Sequence, residues 1–426
     1  MDLFTEGLRC QDIHSGLRDI DQNSSILSPL RETRVIGMAA SLAGLIRGRD
    51  VIEDGDALRA IAAQQLDVDV FAYPEIIRLL EDVGFISGVK RDRDRVLSFV
   101  ENVPYYDDLY PILGNAWRSR SLSELEQQLL PLIEGLSRSP IPLDNLDSRF
   151  DIDAAALPNL LEIGRGSGLI RTLRTIDGDI AYSPFFAFEN PALLETIAME
   201  HGPDRFATEL SVLRAHQGLE IDDERFPLLT DAVAAGLIMA PSVRKPDGGA
   251  ASFAALPYAA DRQLLISRKP VLEKALAVLA CLRSASKYAE YNTLSQNGLV
   301  NAIDKLLDPN RGFLKPNSAH ERQYELLRNS GIIHFGPDPR PGGSWVVPTF
   351  INTSDNREAL KFARDLILHG ELMSQRVNDD VARKLLSSGQ HLSAPMQTMN
   401  RIRQTVTPSP KTFEAILNRA MGWSAL

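Results

Sequence analysis

"LLEIGRGSGLIRTLRTIDGDIAYSPFF" (residues 160–186) changes periodicity at one glycine. Before Gly168 its apolar residues fall at helical spacing; after it, short apolar runs flank an Asp-Gly pair. Glycine is the usual residue just past a helix C-terminus, because it enters the left-handed region without a Cβ clash. Leu169 and Ile170 then start a strand that packs back on the helix just ended. Asp177-Gly178 supplies the positive φ of a tight hairpin turn. Pro184 cannot donate to a ladder, so it marks a strand end or an edge.

Three further stretches share this order: "LLEDVGFISGVKRDRDRVLSFVENVPYY" (79–106), "LLTDAVAAGLIMAPSVRKPDGGAASFAALPY" (228–258) and "LLRNSGIIHFGPDPRPGGSWVVPTF" (326–350). Each opens on Leu-Leu, reaches a glycine (Gly84, Gly236, Gly331), passes a polar turn and closes near a proline (Pro104, Pro257, Pro348). The glycines are 84, 68 and 95 residues apart along the chain. Unequal spacing excludes a regular solenoid and points to separate small domains of one type. Helical patterns precede each stretch: 192–201, 207–218 and 225–236 for the third, and 271–285, 298–307 and 319–331 for the fourth.

Three helices followed by a hairpin resembles the winged helix-turn-helix domain. The expected fold is mainly α with small β-hairpins (α+β), an array of about four winged-helix-like domains plus a C-terminal helical segment. Its expected divisions are an N-terminal segment 1–33, four winged-helix-like domains at 34–115, 116–190, 191–262 and 263–355, and a basic helical segment 356–426. In many winged helices the third helix enters the DNA major groove while the wing touches the backbone. The fourth copy fits that use best. Tyr324 and Leu327 are expected to face inward, leaving Arg322, Gln323, Arg328 and Asn329 outward, with Arg340 in the wing and Lys305, Arg311 and Lys315 upstream. Arg, Gln and Asn are the side chains that make bidentate contacts with G and A. Arg401 and Arg403 add basic charge in the tail.

The other third helices are poor in base: "PEIIRLLEDVG" carries Glu75, Glu81 and Asp82 against Arg78, and "PLLTDAVAAG" has no basic residue. Such helices repel phosphate and resemble those used for protein contacts, as in kleisin-interacting tandem winged-helix proteins. In the first wing, Lys90, Arg91, Arg93 and Arg95 alternate with Asp92 and Asp94, which reads as a self-paired, solvated hairpin. The final stretch "FEAILNRAMGW" places Phe413, Ile416, Leu417 and Met421 on one helical face, suited to docking on the protein's own core.

Charge divides the 426 residues unevenly. Residues 263–426 hold 21 basic and 14 acidic side chains, against 25 and 42 in residues 1–262. That asymmetry points to two kinds of surface on one molecule. The two cysteines, Cys10 and Cys281, cannot build a disulfide framework or a cysteine-rich metal site. The longest apolar run, "VIGMAASLAGLI" (35–46), is too short to span a bilayer and reads as a buried helix. The first residues are acidic and mixed, unlike a signal peptide, so a cytoplasmic location is expected. Arginine outnumbers lysine, as in GC-rich, commonly bacterial, genomes.

Enzymatic motifs are absent. "GRGSG" (164–168) follows a helix and lacks the Lys-Ser/Thr of a phosphate loop. The seven histidines form no metal-ligating pair, no serine occupies a nucleophile elbow, and "IDDER" (221–225) reads as a loop of helix-capping acids. No cofactor is expected. The function expected from sequence is non-catalytic binding of duplex DNA through the basic C-terminal part. The alternative is a protein-assembly subunit beside a separate ATPase or nuclease, with a partner on the acidic N-terminal part.

Overall fold

All four repeat glycines end helices with positive φ: +79° at Gly84, +71° at Gly168, +72° at Gly236 and +68° at Gly331. After three of them the next N–H reaches the carbonyl five residues back: Phe85 to Leu80, Leu237 to Ala232 and Ile332 to Leu327, at 2.8–3.0 Å. That bond turns the chain back along its own helix and buries the apolar pair that follows. Accordingly Phe85, Ile86, Leu169, Ile170, Leu237, Ile238, Ile332 and Ile333 are all buried.

These features come from a computed structural model that describes residues 1–17, 25–93, 95–175, 178–201, 204–245, 248–259, 261–288, 294–316, 320–340 and 345–373. The chain is mainly helical with small antiparallel sheets. It divides into two compact units, Met1–Phe186 and Ala187–Leu426, each holding two of the repeats.

In the first unit, α1 (Leu3–Gly16) precedes the first repeat: α2 (Arg31–Ile46), β1 (Val51–Ile52), α3 (Gly55–Leu66), α4 (Tyr73–Asp82) and the hairpin β2 (Ile86–Asp92) and β3 (Arg95–Glu101). Then come α5 (Tyr106–Arg118) and the second repeat: α6 (Glu124–Arg138), β4 (Ile141–Pro142), α7 (Leu146–Phe150), α8 (Leu157–Gly166), β5 (Arg171–Thr175) and β6 (Gly178–Tyr182). The boundary between the units falls in α9 (Phe185–Glu189). In the second unit, α10 (Pro191–His201) leads to the third repeat: α11 (Asp204–Ala215), β7 (Leu219–Glu220), α12 (Pro227–Ala234), β8 (Ser242–Arg244) and β9 (Ala250–Ala254). After α13 (Arg262–Ser267) and α14 (Lys269–Lys287), the fourth repeat runs through α15 (Gln296–Leu307), α16 (His320–Gln323), α17 (Glu325–Asn329), β10 (Ile333–Gly336) and β11 (Val347–Phe350), and α18 (Ser354–His369) follows.

A third strand joins three of the four hairpins, which the sequence did not reveal. A two-residue strand after the first helix of the repeat pairs with the last strand, so the sheet orders are β1-β3-β2, β4-β6-β5 and β7-β9-β8. In the fourth repeat a single bridge, Phe313 to Thr349, takes that place. The second helix shrinks along the chain, from twelve residues in α3 to five in α7, to a turn at 222–226 in the third repeat and to four residues in α16. Pro348 does not end its strand. It lies inside β11 opposite Phe335, accepts from the Leu314 N–H at 3.0 Å and forgoes only the return bond.

Residues 1–33 contribute more than a leading segment. The backbones of α1 and α5 touch, with Gly7 against the Tyr110 carbonyl and Gly114 against that of Leu3. Arg9, 1% exposed, donates to Asp12 (2.7 Å), Glu134 (2.8 Å) and Ser137 (2.7 Å), fixing α1 to α6. Glu126 forms a capping box with Ser123 and also accepts from the Thr33 N–H at 2.7 Å, so one buried carboxylate serves the N-termini of α6 and α2. In the second unit α14 is buried along most of its length and packs on α18 and α15. Asn356 of α18 donates to the Gly331 and Ile351 carbonyls, both at 2.9 Å, locking that helix to the fourth glycine turn.

Candidate nucleic-acid interface

The sequence places the fourth reading helix at 319–331, but the chain there is two short helices broken at Tyr324 (φ −110°, ψ 16°). Tyr324 and Leu327 are buried as expected, and Arg322, Arg328 and Asn329 are exposed. Gln323 is a correction: it is buried rather than outward. The break at Tyr324 changes the direction of the preceding turn, and α16 packs on α14 and β8.

The exposed arginines have acidic and aromatic company. Arg328 lies 3.8 Å from the Glu325 carboxylate and 5.6 Å from the centre of the Phe335 ring. The same Glu325 is 3.7 Å from Arg244 in β8, so the third repeat's hairpin reaches the fourth repeat's third helix. Arg340 donates to both oxygens of Asp338 and stacks 4.0 Å from the centre of the Trp345 ring. Those hydrogen bonds, with the Arg340 and Trp345 backbone N–H groups, hold the Asp338 carboxyl well below the usual carboxylate range. Lys305 is half-buried on α15. Arg311 lies 5.8 Å over Phe313, and Lys315 is exposed beyond the same bridge. Arg401 and Arg403 lie outside the described residues. The described candidates therefore occupy α15, the 308–316 connection, α16–α17 and the hairpin, rather than one continuous helix face.

In the first wing, Arg91 pairs with Glu81 of α4 at 2.6 Å and Arg95 with Asp56 of α3; Asp94, one of the wing's two expected partners, lies outside the described residues. On α4, Glu75 is held by Arg31 (2.6 Å) and Arg120 (3.1 Å). "IDDER" is a loop as expected, but its acids do not cap α12: Asp222 accepts from the Glu224 N–H at 3.0 Å within the turn, and α12 has no side-chain cap at its N-cap residue. Among the described residues no group of three His, Cys, Asp or Glu side chains could hold a metal ion. Among them, too, no helix is long and apolar enough to cross a membrane.

Two features escape sequence reading. Glu209 of α11 is wholly buried and accepts from the Leu229 N–H at the start of α12 (2.9 Å) and from Arg205 (3.1 Å). Burial pushes its carboxyl up to about 7. Its pair with Arg205 is local, but nothing local marks its burial, because the Leu229 N–H it meets is 20 residues away. The second is a surface groove of about 520 Å³ along α8, lined by Ala154, Leu157, Pro158, Leu161, Glu162 and Arg165. The i, i+3, i+4, i+7 spacing of its last four members was legible; the open space beside them was not.

Comparison with family models, with curated proteins and with solved structures finds no match to this chain.

Proposed function

We propose that this protein is a non-catalytic assembly subunit built from four winged-helix-type repeats, which it uses for protein contacts. The recurrent order of helix, short strand, helical link, helix and hairpin supports the winged-helix reading. One observation carries the choice of partner: none of the four third helices has more bases than acids. The counts of basic to acidic residues are one to three in α4, one to one in α8, none to one in α12 and one to one in α17. A helix that enters a groove of DNA lies between phosphates and needs net positive charge to do so. The apolar groove on α8 is suited instead to another protein's side chains.

The test is co-purification of the full chain with the products of adjoining genes, alongside titration with fluorescent duplex DNA at low and physiological salt. Assembly predicts a stoichiometric complex and DNA binding no tighter than non-specific, about 10⁻⁴–10⁻⁶ M at physiological salt. Tight, salt-sensitive binding to duplex with no protein complex overturns it.

A second reading, duplex binding through the C-terminal part, is favoured by the basic excess of residues 263–426 and by the exposure of Arg322, Arg328 and Asn329. Under it the double substitution Arg322→Ala/Arg328→Ala leaves the circular dichroism spectrum intact and weakens DNA binding at least tenfold. Loss of a base contact costs about 1–3 kcal/mol and relaxes sequence preference, whereas loss of a phosphate contact lowers the salt slope by about one. Unchanged affinity with an intact fold removes this helix as the reader.

A further inference from the structure

The first unit carries an apolar projection and an apolar recess at corresponding places of its two repeats. In the link between α3 and α4, Phe71 is 93% exposed, beside Val70 at 40%. Its position is set by the backbone: the Asp69 carboxylate accepts from the Phe71 N–H at 2.8 Å, and the Asp69 carbonyl accepts from the Tyr73 N–H at 2.9 Å. Arg59 reaches the Val70 carbonyl from α3 at 3.5 Å. A fully solvated phenyl ring on such a held turn is an anchor of the kind that dominates protein interfaces. The matching link of the second repeat, together with α8, forms the groove of about 520 Å³. Its apolar lining, Ala154, Leu157, Pro158 and Leu161, has room for a phenyl ring and the neighbouring valine, with Glu162 and Arg165 beside it.

Phe71 is solvated in this chain, so it does not fill the groove of its own copy. We propose that the protein self-associates head to tail, Phe71 of one copy entering the α8 groove of the next. The charges beside the two halves match, since Asp69 and Arg59 stand by the projection and Arg165 and Glu162 by the recess. Each acid therefore has a base to meet, and no like-charged pairing is forced. Because the two surfaces differ, the contact is heterologous and grows into a ring or an open chain instead of stopping at a symmetric dimer. This deepens the assembly reading above and rests on it. A monomer that still binds the product of an adjoining gene sinks the self-association alone.

The test is sedimentation of the full chain over a hundredfold range of concentration reaching the hundred-micromolar range. The wild type forms species beyond the dimer as concentration rises. Phe71→Ala and Ala154→Arg, both at exposed positions, each raise the dissociation constant at least tenfold while the thermal melt stays unchanged. An equimolar mixture of the two variants restores a dimer and nothing larger, because only the intact groove of the first and the intact Phe71 of the second can meet. A monomeric wild type, assembly that survives either substitution, or a mixture that stays monomeric overturns the proposal.

Discussion

At the scale of single residues, backbone conformation and burial make separable predictions. Gly84 has φ +79° and open space where a Cβ would stand, so Gly84→Ala meets only the left-handed strain. That costs about 1–2 kcal/mol, and a denaturant midpoint unchanged from wild type would show that the turn relaxes into another conformation. Glu209 tests burial. Its folded carboxyl is pushed up to about 7 from an ordinary 4.5. Between those values the folded state holds a proton that the unfolded state has released, so its stabilisation is full below about pH 4.5 and is lost as pH rises to 7. The loss is about 3 kcal/mol, an order of magnitude taken from the size of the shift. Glu209→Gln keeps an acceptor for the Leu229 N–H and removes the proton. The stability difference between variant and wild type should then change with pH across that window. A difference that stays flat means the carboxyl titrates normally. Glycine's role at 84 was readable from sequence because it is local. Burial of Glu209 was not, because it depends on a helix folded over it.

At the scale of elements, the repeats were legible where local chemistry acts and obscure where pairing is distant. Helix, glycine and hairpin follow one another within about thirty residues, and their signals are periodicity and turn composition. The strand before the second helix is two residues long in β1, β4 and β7, too short for any alternation to register. The last strand, 38–49 residues away in the first two repeats, is what defines it. The crossing of α1 and α5 is similar. A Cβ on Gly114 would stand 1.9 Å from the Leu3 carbonyl oxygen, so Gly114→Ala forces the helices apart. The expected cost is about 3 kcal/mol or more, at the upper end of overpacking. Chemical denaturation measures it, and a loss below that of Gly84→Ala would mean that α1 is not firmly seated.

At the scale of the whole molecule, the division after Phe186 redraws the charge map. Residues 1–186 hold 19 basic and 30 acidic side chains, and residues 187–426 hold 27 and 26. The expected break after residue 262 falls inside the second compact unit, at the first residue of α13. A fragment 1–186 should therefore unfold in one cooperative denaturant transition by itself. A fragment 1–262, which keeps less than a third of the second unit, should show an added non-cooperative component. Identical single transitions for both would defeat that division. Sequence alone determined the helix ends, the four hairpins and the shortage of base on the third helices, because each depends on residues close together along the chain. Tertiary structure decided the third strands, the turning-in of Gln323, the burial of Glu209, the pairing of Arg95 with Asp56, and the groove beside α8. Those depend on which distant backbone, acid or empty space each side chain meets, and that is settled only when the elements pack.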